Sequence, residues 1–352
     1  DHTHNFTVTA GLQFDRTRAK AVNATANLLQ TESIPSLGLT YGTKGVSDKI
    51  TQQTNIGYFG RITYNYKERY LFEVNGRYDG TSQYLKGNRW TFFPSASMGY
   101  LISNEPFFEP LVKVVNSFKL RASWGMLSTP VGTNIYNNLD FVSPDDAKYY
   151  FTGLTESGKQ AYVTSPGKLV SSTATWSRPR TIDFGVDLTL FNRFTVVFDW
   201  YKRTIDREIG PSKTYPNILG FTPPSTNNTK SQTTGFDLTL TYFGKIGKDI
   251  TYNLRGTLAD YRGKIVAYDN PTYSLGPILS EYYSGKTQGE IWGYVTDKMA
   301  KSESDLTHTP NQSYIYAGAL RLGDIIYQDL NGDGIIDRGL STLDNKGDLA
   351  VI

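Results

Sequence analysis

The sequence predicts an all-β fold: a transmembrane antiparallel β-barrel, or part of one, with long loops on one side. Three observations carry this. Segments near the ~9–11 residues of a tilted bilayer-crossing strand alternate between an apolar, aromatic face and a charged face. Very short and very long connections join them in turn. The 352-residue chain holds 25 Tyr and no Cys, and Tyr suits a surface that meets both lipid and water.

Taken in order, the segments share one pattern. In NFTVTAGLQFD, Phe6, Val8, Ala10, Leu12 and Phe14 oppose Thr7, Thr9, Gln13 and Asp15. In 61–80, Ile62, Tyr64 and Tyr66 oppose Arg61, Thr63 and Asn65. After Lys67-Glu68-Arg69, Tyr70, Phe72, Val74 and Tyr78 oppose Glu73, Asn75, Arg77 and Asp79. Residues 92–102 fit more loosely. In SFKLRASWGM, Phe118, Leu120 and Trp124 oppose Lys119, Arg121 and Ser123. Ile182, Phe184, Val186 and Leu188 oppose Asp183 and Asp187, and FTVVFDWY puts Phe198 and Trp200 on one side. Leu238 and Leu240 oppose Asp237, and Leu254 and Leu258 oppose Arg255 and Thr257.

Strands near 54–66 and 70–79, 181–190 and 194–204, and 234–243 and 249–260 pair through short turns. Segments 80–91, 127–180, 205–233 and 261 onward separate them. A soluble sandwich has no reason to segregate its loop lengths, whereas an outer-membrane barrel does. Aromatics beside the short turns (Tyr64, Tyr66, Tyr70, Phe191, Phe194, Tyr242, Phe243, Tyr252) predict an interfacial girdle. The apolar face therefore meets lipid and the charged face lines a wet or plugged lumen. The barrel closes because unpaired backbone in hydrocarbon is costly.

Several chemistries find no support. Mean hydropathy is −0.40 and no apolar run reaches the ~20 residues of a membrane helix. Thirty-six basic residues balance 33 acidic ones without a basic block, which argues against nucleic acid. The three His sit near no nucleophile elbow, and no phosphate-binding glycine loop occurs. His2 and His4 form an H-x-H without a third ligand, read as a solvated pair.

One polar constellation has a definite spacing. In DLNGDGIID, Asp329, Asn331 and Asp333 stand at positions 1, 3 and 5 of an EF-hand-like loop, Gly334 at 6, Ile335 at 7 and Asp337 at 9. Position 12 is Leu340, so the bidentate acid is missing, and Asp344 is the candidate to replace it. The residues are a candidate calcium site, with an Asx-rich turn as the alternative. The loops carry Tyr136, Tyr149, Tyr150, Tyr162, Trp176, Tyr282, Tyr283 and Trp292 among small polar residues. Such faces can contact a substrate or a lid, or can pack to order the loops.

The stretch GYFGRITYNYKERYLFEVNGRYDGTSQY…NRWTFFPSASMGYLIS (57–103) strongly resembles SusC/RagA-like TonB-dependent transporters, outer-membrane nutrient importers of Bacteroidetes. FKLRASWGML, TIDFGVDLTLFNRFTVVFDWYKR, GEIWGYVTD and GDIIYQDLNGDGIID follow in the family's order. The resemblance implies a roughly 22-stranded barrel, an N-terminal plug with a TonB box, and a SusD-like lipoprotein lid. It also implies energy from the inner-membrane TonB–ExbB–ExbD complex and a Gram-negative outer-membrane location. Residues 1–352 read as one partial barrel domain, with plug and last strands outside the chain. The expected activity is import of an oligomeric nutrient, a glycan ahead of a peptide, without catalysis. The alternative is a soluble, secreted β-rich ligand-binding module.

Overall fold

A computed structural model describes residues 3–127, 143–145, 163–165, 173–210, 226–247, 249–269, 283–316, 320–340 and 345–352. Its strands are β1 (His4–Ala26), β2 (Lys44–Tyr66), β3 (Tyr70–Thr81), β4 (Trp90–Leu101), β5 (Val115–Met126), β6 (Ser143–Asp145), β7 (Val163–Ser165) and β8 (Arg178–Leu190). They continue as β9 (Phe194–Glu208), β10 (Thr229–Ile246), β11 (Ile250–Tyr268), β12 (Trp292–Tyr294), β13 (Thr296–Met299), β14 (Ile325–Tyr327) and β15 (Leu349–Val351), with a short helix α1 (Glu303–Thr307).

Nine of these strands form one antiparallel sheet in the order β1-β2-β3-β4-β5-β8-β9-β10-β11. Each main strand lies beside its sequence neighbours, the up-and-down order of a barrel wall. Among the described residues the sheet is open: β1 and β11 each pair with a neighbouring strand on one side only, and residues 285–288 hydrogen-bond to the free edge of β11 near Lys264. Smaller pairs, β12 with β15 and β13 with β14, lie in the segment after β11.

The strands are longer than the sequence pattern suggested. β1 and β2 stay in register from His4↔Tyr66 to Ala26↔Lys44, while β3 leaves β2 at Asn55↔Thr81. The hairpin thus continues well past its neighbour. Its outer part is polar and lacks an apolar alternation, but two backbones can pair in water without one. The third short turn is also tighter than Gly244–Lys248, since β10 runs to Ile246 and pairs with Ile250.

Two short turns share one conformation. Lys67 and Glu68 have φ of 52° and 54°, and Phe191 and Asn192 have φ of 53° and 52°. Arg69 N–H donates to Tyr66 O and Arg193 N–H to Leu190 O, at 3.0 and 2.9 Å. Two successive left-handed residues make a type I′ turn, whose twist matches the strands it joins. Neighbouring strands brace both turns: Lys67 N–H donates to Thr3 O and Phe191 N–H to Val114 O, each at 2.8 Å.

Candidate functional site

The register decides which side chains share a face. Phe72 and Val74 lie opposite Tyr64 and Ile62, and Phe184, Val186 and Leu188 lie opposite Trp200, Phe198 and Val196. Leu238 continues the row from Phe198, and Leu254 lies opposite Tyr242. This apolar face is bare: Val74, Phe184 and Leu254 are 56%, 53% and 64% exposed. Soluble proteins rarely leave so many large apolar side chains of one face uncovered.

Aromatic rings bound the apolar face at both ends. At the short-turn end, Tyr70 stacks on Tyr100 with centroids 5.0 Å apart, and Phe194 meets Tyr242 at 4.7 Å. At the long-loop end, Trp90 stacks on Tyr78 at 5.0 Å; on β8 and β9 the outward aromatics farthest from the short turn are Phe184 and Trp200, stacked at 6.1 Å near mid-strand. The sequence does not mark this second set, because no short turn fixes its position along the strands.

The opposite face is an ion-pair network. Arg61 pairs with Glu73 at 2.5 Å. Arg77 Nε donates to Asp79 at 2.7 Å, and its Nη2 crosses to Gln13 Oε1 at 2.9 Å. Arg121 grips Asp187 through Nε and Nη2 at 2.9 and 2.7 Å. Its Nη2 also lies 2.9 Å from Asp199 Oδ1, close enough for charge pairing but outside hydrogen-bond alignment. Asp183, Asp237 and Arg255 share this face by register.

Two glycines make the long reaches possible. Arg121, Gly185 and Asp199 form one row across β5, β8 and β9. A Cβ on Gly185 would lie 2.4 Å from Asp199 Oδ1 and 2.6 Å from the Arg121 Cζ. Gly57 plays the same part beneath Arg77, where a Cβ would lie 2.3 Å from Asp79 Oδ1. A shallow hollow of about 350 Å³ opens on this face among Asn65, Glu73, Ser97, Lys119 and Arg121. His4 Nδ1 meets the Tyr64 hydroxyl at 2.9 Å, and His2 lies outside the described residues.

At the long-loop end, the strand exits are clipped together. Trp176 is 4% exposed, packs on Tyr84 and Phe93, and donates from Nε1 to Arg89 O at 2.8 Å. It orders the loop base and offers no free face. Asn227 donates to Thr175 O and accepts from Thr175 N–H, both at 2.9 Å, and also donates to Arg207 O. Tyr283 donates to Glu290, which also accepts from Trp292 Nε1 and Thr287 N–H, each at 3.0 Å. Burial, then the bond to Glu290, pushes the Tyr283 hydroxyl up to about 12. Burial raises Glu290, but the donors around it outweigh that and hold it below the usual carboxylate range. Tyr136, Tyr149, Tyr150, Tyr162 and Tyr282 lie outside the described residues.

The Asp329–Asp337 loop is built on its own hydrogen bonds. Asp329 accepts from Gly332 and Gly334 N–H, Asn331 from Asp333 N–H, and Asp333 from Ile335 N–H, at 2.6–2.9 Å. Asp337 accepts from Gly339 N–H at 2.7 Å. The residue that folds back on the loop is Asp348, which the spacing argument missed. It is fully buried and accepts from Leu330 and Asp337 N–H at 2.7 and 2.9 Å. Asp344 lies outside the described residues. Among the described residues, no three His, Cys, Asp or Glu side chains are grouped as a metal cage.

An antiparallel sheet with a bare apolar face between two aromatic rings, and a charged face behind it, is a section of outer-membrane β-barrel wall. The chain belongs to the TonB dependent receptor-like, beta-barrel family, whose pattern it matches over residues 42–334. Such barrels reside in the outer membrane of Gram-negative bacteria. The chain is 28% identical over 302 residues to the TonB-dependent receptor SusC of Bacteroides thetaiotaomicron, covering 82% of this chain and 28% of SusC. It is 22% identical to the TonB-dependent receptor P3 of Formosa agariphila, covering 97% of this chain and 34% of P3. Among solved structures, it is similar to the RagAB peptide importer in the closed-closed state, with TM-score 0.72 and 17% identity over 100% of this chain and 35% of that one. The RagAB peptide transporter gives TM-score 0.70 and 18% identity over 85% and 32%. The chain thus spans about a third of these relatives.

Proposed function

We propose that the full protein imports an oligomeric nutrient across the outer membrane, energised by the TonB–ExbB–ExbD complex and aided by a SusD-like surface lipoprotein. The observation that carries this reading is the pairing of a lipid-facing apolar wall with a charged inner wall in a chain of the TonB-dependent receptor family. This chain supplies wall and long outer loops, and its residues act by binding and guiding rather than by bond-breaking. In the glycan reading, loop aromatics among small polar residues meet sugar faces. The RagAB chains, named as peptide transporters, favour peptide as the second reading. The test is purification of the native complex with mass spectrometry of everything bound. A co-purified surface lipoprotein and an oligosaccharide support the first reading and an oligopeptide the second. A lone barrel with no partner, and no uptake defect on deletion of the gene, counts against both.

Calcium at Asp329–Asp337 is a separate proposal that rests on the spacing. Its backbone N–H bonds already hold the loop, so Ca²⁺ would chiefly offset the charge of three nearby carboxylates. Calorimetric titration of the full protein should give a saturable heat at a Kd of roughly 10⁻⁴–10⁻³ M, as in extracellular modules. Absence of heat, or heat unchanged by Asp333→Ala, refutes it.

A further inference from the structure

Beyond import, the outward face of β8–β11 carries a second feature. Successive hydrogen-bonded rows can be followed across the four strands. The row Phe184, Trp200 and Phe236 is aromatic until it meets Asp260 on β11. The next row toward the long loops is Ile182, Lys202, Thr234 and Arg262. The row beyond that is Arg180, Thr204, Gln232 and Lys264, and Arg178 and Lys230 lie past it. All these residues share the lipid-facing parity, because alternate residues of a strand point to the same side.

Six cations therefore stand just outside the aromatic ring, against two carboxylates, Asp206 and Asp260. Asp206 is taken by Arg180 and by Lys230, the latter at 3.0 Å. Arg178, Lys202, Arg262 and Lys264 have no ion-pair partner among the described residues. The other end of the same face differs. From Val186 to Leu190, Phe194 to Phe198, Leu238 to Ile246 and Ile250 to Leu258, no residue of this parity is charged. The charge is confined to the end of the sheet that carries the long loops, the extracellular end.

A cation that faces away from the lumen, level with the outer headgroups, has two natural partners: water or the lipid headgroup itself. With strands about 4.8 Å apart and alternate residues about 6.8 Å apart, Lys202, Arg262 and Lys264 span roughly the width of one headgroup. The ring below them would hold the acyl chains, as interfacial aromatics do. We propose that this patch binds the phosphate groups of outer-leaflet glycolipid headgroups, with Lys202, Arg262 and Lys264 as its centre. A patch on one end of the wall matches a bilayer whose phosphorylated glycolipid occupies one leaflet. The inference rests on the barrel's membrane orientation and is independent of what is imported.

The full-length transporter, reconstituted in phosphatidylcholine nanodiscs doped with bis-phosphorylated lipid A or with lipid A stripped of its phosphates, provides the test. Native mass spectrometry counts lipid A bound per barrel. The phosphorylated form should be enriched over the stripped form by roughly tenfold or more, given about a fivefold gain per nearby cation. The Lys202→Gln/Arg262→Gln/Lys264→Gln variant should lose that preference while keeping the heat-modifiable gel mobility of a folded barrel. Equal binding of the two lipids, or a variant that binds as the parent does, overturns the proposal. If the triple variant does not fold, the parent protein decides. Its occupancy should fall between about 0.05 and 0.5 M NaCl, across which the screening length shortens roughly threefold. A flat salt response overturns the proposal equally.

Discussion

Replacing Val186 by Arg puts a charge on the lipid face near the middle of β8. Val186 lies between Leu120 on β5 and Phe198 on β9, with Phe184 and Leu188 on either side along its own strand. Leu190 and Ile182 are each four residues away, so at about 3.3 Å per residue and a ~40° tilt both lie about 10 Å from it along the membrane normal. That distance leaves the guanidinium short of either headgroup layer even with the side chain extended, and the cost should approach the midplane value of roughly 2–4 kcal/mol. Such a cost lowers the folding equilibrium about 30- to 700-fold. The neighbouring lumen position, Asp187, is a poor control, because Asp187→Arg would set two guanidinium groups together where Arg121 now holds a carboxylate. Thr239 is better: it faces the lumen opposite Thr257, with Asp237 two residues along the same strand. Thr239→Arg should therefore cost less than about 1 kcal/mol, in the range of an exposed ion pair. The assay is the folded fraction of the full protein in lipid vesicles against urea, read by heat-modifiable gel mobility. Equal urea midpoints for Val186→Arg and Thr239→Arg would refute the facing of the sheet.

Gly185→Ala should cost about 1–2 kcal/mol, because the new methyl displaces the Arg121–Asp199 pair from a half-exposed site; an unchanged urea midpoint would contradict this. Asp348→Asn turns one of two buried acceptors into a donor facing backbone N–H groups. Amide exchange at 330–337 should then speed by a factor worth about 1–3 kcal/mol, while exchange in β8–β10 stays the same. Tyr283 has a folded pKa of about 12, raised by burial and Glu290, against an unfolded value of about 10. The folded state therefore holds the proton more tightly. Its contribution is complete below about pH 10 and is lost as pH rises through 12. Ultraviolet titration of wild type minus Tyr283→Phe should show one tyrosine ionising near pH 12, and a difference curve centred near pH 10 would sink the assignment.

The lipid and lumen faces were legible because a period of two survives in any strand whose two faces meet different solvents. Phe72, Val74, Phe184 and Leu254 on one side and Arg77, Arg121 and Asp187 on the other were read from alternation alone. The outer reach of β1 and β2 was not, because Arg16 to Ala26 and Lys44 to Asn55 pair with water on both faces and carry no such contrast. Parity also says nothing about which residues become neighbours. Lys202 and Arg262 are sixty positions apart, and only the β9–β10–β11 register brings them into one row. Gly185 gave a local hint, a missing side chain within a charged face, but its use depends on Arg121 arriving from another strand. Asp348 lies eleven residues beyond Asp337, outside any spacing rule for the loop it closes. Loop composition offers Trp176 as a contact surface; its burial follows from Tyr84 and Phe93, which composition cannot place beside it.

One face of β8 meets lipid and the other meets water. The chain contains no Cys, so single cysteines can be placed at each residue from Ile182 to Thr189 and spin-labelled in the reconstituted full-length protein, with any cysteines elsewhere removed. Collision rates with oxygen, which partitions into hydrocarbon, and with a water-soluble nickel chelate then report the surroundings of each site. The rates should alternate with a period of two, with oxygen favoured at 182, 184, 186 and 188 and nickel favoured at 183, 185, 187 and 189. A profile without alternation, or one with the two sets reversed, would contradict it.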